Sequence, residues 1–597
     1  MTFWLCGWSK FTLCLFVVVL LALAYRITFW ENRPAVVADG GQDPANDDHG
    51  PAARNGPPRL AVLIVFDQLR ADYLTRWDDL FGEGGFHRLE REGAWFQNCH
   101  FRYASTLTAP GHASLATGCS PRTHGIVGNT WYDRATQQSL YPVYSDRYEL
   151  VPLVRGKEKE EVGTWPGVWP GQLLVETLGD ALKRATDGRG RVISLSLKDR
   201  SAVLLACRQS RADACYWFFP SQGAFVTSTY YRPNGRPHPW VAQFNDGRPA
   251  DRWFGRDWTR LRPDLDYAHS SGPDDVDGEG TGWDQHRTFP HPMTGGLEKV
   301  GQSYYEALGN APFGNALLLE LAERAIDAEC LGQKDTPDLL CLSFSCNDMI
   351  GHVWGPDSQE VLDVTLRSDL IVKELLDHLD AKVGPGRYVV ALTADHGICP
   401  LPEVARRQGK NAGRVHPDLL KQKAEAFLDE TFLKGEGQAS WVEAEEDLWI
   451  YLNQKVLQAH DLKPARVEEA LARWLARQPG VQRAYTRTQL SGDPLEDDQL
   501  GELVRRSFHL ERSGDVAVVL KPYHVLGKPL DTGTTHGSPH PYDRHVPLLV
   551  YGPGVRPGVR SEAIDPQAVA SILAWSLGIE PPPCAEAPVP DSLRNRP

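Results

Sequence analysis

Five short apolar runs restrict the fold of this chain more than any other feature of its sequence. They are LAVLIVF (60–66), RVISLSL (191–197), DLLCLSFS (338–345), YVVALTA (388–394) and VPLLVYG (546–552). Such runs are typical of parallel strands that are buried on both faces. Helical patterns lie between them, at residues 173–185, 315–330 and 359–380. Strands that alternate with helices predict an α/β fold with a doubly wound, mostly parallel central sheet.

Two stretches interrupt this alternation and are interpreted as inserted cap regions. Residues 202–311 are aromatic and rich in Gly and Pro. Residues 416–530 carry their own amphipathic helix (463–478) and are interpreted as a small α+β insertion. The catalytic core is therefore expected in three parts, which are residues 59–201, 312–415 and 531–597, the last of them including the C-terminal tail.

The N-terminus predicts export. Residues 11–25 form an apolar run that is short for a membrane span and suits the core of a signal peptide. We interpret residues 1–30 as a signal peptide or an uncleaved membrane anchor, and 31–58 as a disordered linker rich in Pro, Gly, Asp and Asn. The protein is then periplasmic or faces the periplasm from the membrane, with membrane contact only through residues 11–25. A buried cytosolic helix is the alternative.

Composition and cysteine spacing exclude several classes of protein. The chain has 63 Lys and Arg against 77 Asp and Glu, a net charge of −14, which argues against a nucleic-acid partner held by phosphate contacts. No C-x-x-C spacing occurs among the eleven cysteines, which disfavours a zinc ribbon or a thioredoxin site. Cys207 and Cys215 flank a polar turn and are candidates for a disulfide in an oxidising compartment.

Acidic and imidazole side chains follow several of the predicted strands. Ligands of open α/β sheets bind at the carboxyl ends of the strands, so we expect these side chains to converge. The candidate metal ligands are Asp67, Asp348, His352, Asp395, His396 and His536. Six N and O ligands suggest two zinc-like ions with open positions rather than one closed structural site. Taken singly, each residue is more typical of a helix cap or a hydrogen-bonded histidine, which is how we interpret His112, His124, His540 and His545.

Thr108 is the candidate nucleophile. It stands in TLTAPGHASLATG (106–118), two residues before Pro110, a residue that suits the first turn of a helix. A helix N-terminus directs free N–H groups and positive dipole towards an anion such as phosphate. Metal coordination lowers the pKa of a hydroxyl and makes it reactive. The neighbouring hydroxyls of Ser105 and Thr106 remain alternatives.

Lys198 and Arg200 are candidate ligands of a dianionic phosphoryl group. They lie two residues apart in SLKDR (196–200), and side chains at that spacing face the same way in an extended chain. Two fixed cations can hold the oxygens of such a group, and Asn129 is placed to donate a further hydrogen bond. An ordinary surface charge pair is the alternative.

The motifs together resemble those of the alkaline phosphatase superfamily, and most closely those of the monomeric PafA-type alkaline phosphatases. The matching segments occur in the family's order between about residues 60 and 552. They are FDQLRADYL, TLTAPGHASLATG, HGIVGNTWYD, SLKDR, CNDMIGHVWGPDS, TADHG and THGSPHPYDRHVPLLVYG.

The resemblance implies a two-zinc hydrolase of small phosphate monoesters that acts through a phosphothreonine at Thr108 and is a monomer. One zinc would be held by Asp348, His352 and His536. The other would be held by Asp67, Asp395 and His396, with Thr108 bound to it. Asn129, Lys198 and Arg200 match the family's phosphate-binding residues, and the Lys/Arg pair separates this branch from the nucleotide pyrophosphatase/phosphodiesterase branch.

Three alternatives remain. One is a phosphodiesterase or nucleotide pyrophosphatase of the same superfamily, and another is a catalytically inactive, membrane-tethered binding protein. The third is a sulfatase, whose C-x-P-x-R motif is only half present, since Thr123 stands where the Arg that follows Cys119 should be. Every position transferred from the phosphatase motifs is intact, which favours an active phosphatase.

Overall fold

A computed structural model describes residues 57–152, 166–434, 437–447, 449–495, 497–528 and 530–594. The expected signal peptide or anchor, and nearly all of the expected linker, lie outside these residues. Within them, none of the helices combines the length and the apolar character that crossing a membrane demands.

An eleven-stranded sheet forms the centre of the molecule. Its strands are β1 (Leu60–Phe66), β2 (Ala94–Cys99), β3 (Tyr144–Val151), β4 (Pro166–Val168), β5 (Val192–Ser196), β6 (Ala214–Phe219), β7 (Ala224–Ser228), β8 (Asp338–Phe344), β9 (Tyr388–Thr393), β10 (Leu548–Tyr551) and β11 (Gly558–Ile564). They lie side by side in the order β11-β2-β10-β9-β1-β8-β5-β6-β7-β3-β4. The predicted α/β fold is confirmed.

The middle of the sheet is parallel. Strands β9, β1, β8, β5 and β6 lie side by side and pair in parallel with one another, and every residue of β1, β5, β8 and β9 is buried. Four of the five apolar runs form these buried strands. The fifth run, residues 546–552, contains β10. The prediction that it forms a parallel strand is wrong, because β10 runs antiparallel to both β9 and β2. Apolar composition reports that a strand is buried but not its direction.

Seven helices of the core bear on the site and its surroundings. They are α1 (Thr108–Thr117), α2 (Leu178–Ala185), α3 (Asp199–Leu205), α4 (Phe313–Glu329), α5 (Cys346–Trp354), α6 (Gln359–Lys382) and α7 (Ala568–Leu577). Helix α2 begins with a capping box, in which Thr177 and Asp180 satisfy each other's backbone N–H groups. At the start of α6, the Ser358 side chain accepts from the N–H of Val361. The helical patterns predicted at 173–185, 315–330 and 359–380 correspond to α2, α4 and α6.

The first expected insertion does not leave the sheet at residue 202. Strands β6 and β7 form an antiparallel hairpin that extends the central sheet, with the rings of Phe218 and Phe225 in edge contact across it. The remaining residues form short elements: the helices Pro239–Asp246, Tyr267–Ser271 and Gln302–Gly309, and a ladder of Asp257–Trp258 with His291–Pro292. The boundary proposed at 202 is therefore corrected to follow β7.

The second stretch contains a separate antiparallel sheet. Its strands lie in the order Val442–Glu446, Trp449–Leu452, Val516–Leu520 and Val481–Thr486. Helix Pro464–Leu475 buries Val467, Leu471 and Leu475 in the same apolar cluster as residues of this sheet. The apolar face of the predicted amphipathic helix therefore belongs to a small local core.

All nine cysteines in the described part of the chain are free. Cys207 and Cys215 are both buried, and the disulfide considered between them is not formed.

Candidate metal centre and active site

The carboxyl ends of three neighbouring strands bring the acidic residues together. Asp67 directly follows β1, Asp395 follows β9 after one intervening residue, and Asp348 lies in the first turn of α5, just beyond β8. All three side chains are buried. The structure groups all six predicted ligands, with the ligand atoms of each group within 4.8 Å of one another. One group is Asp348, His352 and His536, and the other is Asp67, Asp395 and His396.

Each of the three imidazoles is oriented by a backbone carbonyl. Nδ1 of His352 lies 2.8 Å from Thr534 O, Nδ1 of His536 lies 2.8 Å from Thr106 O, and Nδ1 of His396 lies 2.9 Å from Gly397 O. When Nδ1 donates to a carbonyl, Nε2 keeps its lone pair, which is the form that ligates metals. The three Nε2 atoms face the carboxylates, at 3.1 to 3.5 Å from the nearest carboxylate oxygens.

Burial favours neutral imidazoles at two of these positions. Burial, with His396 and His352 nearby, holds the pKa of His536 well below its ordinary value. Burial also lowers the pKa of His396, although Asp395 acts in the opposite direction. The rings of His396 and His536 stack at 3.5 Å between centroids, and this stacking places the two groups directly beside each other.

The carboxylates differ in their environment. Burial and the neighbouring Asp395 raise the pKa of Asp67 well above its ordinary value. Burial also acts to raise the pKa of Asp348, but His352 and Lys198 outweigh it and hold that pKa well below its ordinary range. Among the described residues, the buried Oδ1 of Asp67 has no hydrogen-bond donor, and the buried Oδ2 of Asp395 faces imidazole nitrogens, those of His112 at 3.1 Å and His396 at 3.3 Å. Such oxygens are costly unless a cation satisfies them, so this set of donors fits two divalent cations of the zinc type.

Lys198 lies between the two groups. Its Nζ is 2.7 Å from Oδ2 of Asp67 and 2.5 Å from Oδ2 of Asp348. Burial acts to lower the pKa of Lys198, but the two carboxylates outweigh it and raise the pKa above its ordinary value. The side chain is therefore a fixed cation at the centre of the cluster.

Helix α1 presents Thr108 to the cluster. Thr108 is the first residue of the helix and is 1% exposed. Its Oγ1 lies 3.4 Å from Nε2 of His396. The glycine of the APGH segment is needed for this approach, because a Cβ on Gly111 would lie 2.3 Å from the backbone oxygen of Asp395. The helix N-terminus therefore packs directly against the end of β9.

Arg200 and Asn129 complete the set of predicted residues. The spacing argument for Lys198 and Arg200 is wrong in its geometry, because Lys198 precedes α3 and Arg200 lies within its first turn. The Arg200 guanidinium lies near the Tyr141 hydroxyl, at 3.4 Å, and its buried Nε has no hydrogen-bond acceptor in the part of the chain that the structure describes. Oδ1 of Asn129 accepts from the N–H of Ala109, at 2.9 Å, which leaves the amide donors of Asn129 for a ligand.

Sequence reasoning missed the position of His112. It was interpreted as an ordinary core histidine, but its Nδ1 lies 2.8 Å from Thr108 O and 3.1 Å from Oδ2 of Asp395. Its Nε2 lies 2.8 Å from Oγ of Ser343. The available signal was its place four residues after Thr108, on the same face of one helix. The other three histidines contact Ser114 Oγ, Leu520 O and Gln97 O, as hydrogen-bonded structural histidines do; these are His124, His540 and His545.

Comparison with known proteins places this site in a family. Residues 61–543 match the model described as type I phosphodiesterase/nucleotide pyrophosphatase, and the chain belongs to that family. Its likeness is to the PafA type within it. Alkaline phosphatase PafA of Elizabethkingia meningoseptica is 32% identical over 88% of this chain and 92% of its own length. The crystal structure of wild-type PafA matches with a TM-score of 0.80 and 31% identity, covering 90% of this chain and 99% of PafA.

A second curated relative carries a different name. The protein called calcium-transporting ATPase of Myroides odoratus is 33% identical over 88% of this chain and 92% of its own length.

Proposed function

We propose that this chain is an alkaline phosphatase, a hydrolase of small phosphate monoesters. The observation that carries the proposal is the convergence of Lys198 and the Asp/His cluster beside Thr108. Lys198 contacts carboxylates of both groups, and Thr108 lies against His396. The full-length likeness to PafA supports the same activity.

Two zinc ions would be held by the six ligands of the cluster. Asp348, His352 and His536 would hold one, and Asp67, Asp395 and His396 would hold the other, next to Thr108. Bound zinc lowers the pKa of hydroxyls and water and stabilises the negative charge that develops on oxygen. The lowered pKa values of His536 and His396 support this assignment, as does the buried Oδ1 of Asp67, which has no hydrogen-bond donor among the described residues.

The chain's own residues then carry phosphoryl transfer in two steps. Oγ1 of Thr108 bonds to phosphorus as the bond to the ester oxygen breaks, and the departing alcohol takes a proton. Water next attacks the phosphothreonine, releasing phosphate and restoring the hydroxyl. Asn129, Lys198 and Arg200 hold the non-bridging oxygens, and the N-terminus of α1 adds its N–H groups.

Charge gives the preference for monoesters. A monoester carries one more negative charge than a diester, and the buried Lys198 together with the half-buried Arg200 gains most from the dianion. Lys198 and Arg200 are both close enough to Asp67 to interact with its charge. This supports the proposal that both cations bind the same phosphoryl group. A nucleic-acid partner is not expected from the net charge of −14.

Location and assembly are further parts of the proposal. The apolar run at 11–25 and the polar stretch after it support export to the periplasm, by a cleaved signal or an uncleaved anchor. We expect a monomer, by likeness to the PafA type.

Steady-state hydrolysis of a phosphate monoester and a matched diester by one zinc-loaded preparation tests the proposal. ATP belongs among the substrates because one relative is named an ATPase. A strong monoester preference is the expected result. A diester preference would leave the fold and the candidate ligands unaffected but would indicate a phosphodiesterase. Absence of metal-dependent turnover would favour a binding protein.

A further inference from the structure

Gln68 links the two groups of candidate ligands. It follows Asp67 at the end of β1 and is 3% exposed. Its side-chain Nε2 donates to Oδ1 of Asp348 at 2.6 Å, and its backbone N–H donates to Oδ1 of Asp395 at 3.1 Å. One residue therefore donates a hydrogen bond to a carboxylate of each group.

The backbone of Gln68 adopts an unfavourable conformation to make both contacts. Its φ is +74°, in the left-handed region that residues with a side chain rarely occupy. Such a conformation persists only when the surrounding structure fixes it, and these conformations cluster at functional sites. Here the left-handed turn aims the N–H at Asp395 while the side chain reaches across to α5.

A glycine on α5 makes room for the Gln68 amide. Gly351 lies between Asp348 and His352, inside the helix, where glycine is unfavourable relative to alanine. A Cβ at Gly351 would lie 1.9 Å from Oε1 of Gln68. The glycine is therefore explained by the space that Gln68 occupies and not by the helical backbone.

We propose that Gln68 is a positioning residue, which orients Asp348 for the ion that it would share with His352 and His536. This inference rests on the proposed two-zinc function. A hydrogen bond to one carboxylate oxygen fixes the rotation of the carboxylate and so the direction of its remaining lone pairs. Loss of such an outer partner typically weakens metal binding 10- to 100-fold.

The substitution Gln68→Gly separates positioning from folding. Glycine keeps the backbone N–H that contacts Asp395 and relieves the left-handed conformation, but it removes the donor to Asp348. We expect thermal stability of the zinc-free protein to be unchanged or higher. In a chelator titration of the full-length holoenzyme, we expect one of the two zinc ions to be released at a roughly 10- to 100-fold lower chelator concentration than in the parent. The second ion should be released as in the parent.

The substitution Gly351→Ala provides a double-mutant cycle. In the parent, the new methyl group displaces the Gln68 amide. Binding of the same zinc ion should therefore weaken as much as it does in Gln68→Gly. In the Gln68→Gly background the nearest neighbour of the new methyl group outside residue 68 is Ile398, at 3.5 Å, which is an ordinary van der Waals distance, and we expect no further weakening of zinc binding. Equal losses in the two backgrounds would overturn the link between Gly351 and Gln68.

A matched control is available in Gln285. Its buried amide donates to the carbonyls of Ala307 and Asn310, and these partners do not belong to either ligand group. Gln285→Ala should lower thermal stability and leave zinc release unchanged. If the parent itself does not hold two zinc ions, the proposed function fails. If the parent holds two and Gln68→Gly releases both as the parent does, the role of Gln68 alone is wrong.

Discussion

The hydroxyl of Thr108 lies 3.4 Å from Nε2 of His396. Since Nδ1 of His396 donates to the carbonyl of Gly397, the nitrogen that faces Thr108 is the one with the free lone pair. The threonine is therefore beside the group formed by Asp67, Asp395 and His396. The family resemblance assigns Thr108 to the zinc ion that this group would hold.

Removing the hydroxyl should abolish turnover without unfolding the protein. Thr108→Ala is expected to lower kcat by roughly 1,000-fold or more, because no other group replaces the nucleophile. Zinc content and thermal stability should stay close to those of the parent. Ser105→Ala is the control, since Ser105 lies near Thr108 in sequence and should retain most activity. Substantial turnover by the Thr108 variant would refute the assignment.

The two cations should discriminate between esters. Lys198→Ala combined with Arg200→Ala is expected to reduce kcat/KM for monoesters by roughly 1,000-fold and for diesters by about 10-fold, because the dianion loses more charge stabilisation. Both constants are measured on the same zinc-loaded preparation. Lys183→Ala is a control, since Lys183 is paired with Asp213 at 2.7 Å and should not affect the ratio. Equal losses on both esters would contradict the role of charge.

Asn129 allows its ligand role to be separated from its structural role. Asn129→Asp keeps an oxygen that can accept from the N–H of Ala109 but introduces negative charge, whereas Asn129→Ala removes both functions. If Asn129 holds a phosphoryl oxygen, the Asp variant should have the lower kcat/KM, by about 10-fold relative to the Ala variant. If the Asp variant is the more active of the two, the contact with Ala109 is what matters.

Buried Glu279 should make stability depend on pH. Burial raises its pKa to about 8 from the ordinary 4.5. The folded state therefore keeps a proton that the unfolded chain has lost, so this group's contribution is full below about pH 4.5 and is lost as the pH rises towards 8. Glu279→Gln should unfold at higher temperature than the parent at about pH 9, on the order of 2 kcal/mol in stability. At acidic pH the two should be alike, and a constant difference across pH would contradict the assignment.

The sequence predicts that the candidate ligands at the strand ends converge, because the signal for their position is local. Asp67 and Asp395 directly follow buried runs, and α/β sheets bring such positions to one edge. Asp348 and His352 are four residues apart, which a helix places on one face. These relationships need only element type and order, and the structure brings all six residues together.

Other features depend on tertiary structure that local patterns do not encode. The direction of β10 depends on how the chain returns from the second insertion, and the inclusion of β6 and β7 in the sheet depends on pairing with β5 and β3. Lys198 contacts the cluster from a strand-to-helix turn, with Arg200 in the first turn of the helix that follows, whereas the spacing argument assumes an extended chain. The role of Gln68 is not predicted from the sequence, although the residue lies in the matching segment FDQLRADYL. A glutamine after a strand is common, and its contacts are with carboxylates far away in the sequence.

Trapping the covalent intermediate is the most direct test of Thr108 as the nucleophile of an alkaline phosphatase. Zinc-loaded protein is mixed with excess monoester, quenched in acid within the first turnovers, digested, and analysed by mass spectrometry for phosphate on the peptide that spans residues 103–122. We expect one phosphate, on Thr108, which disappears in Thr108→Ala. Turnover by the parent without any phosphorylated peptide, or with the phosphate on Ser105 or Thr106, would contradict it.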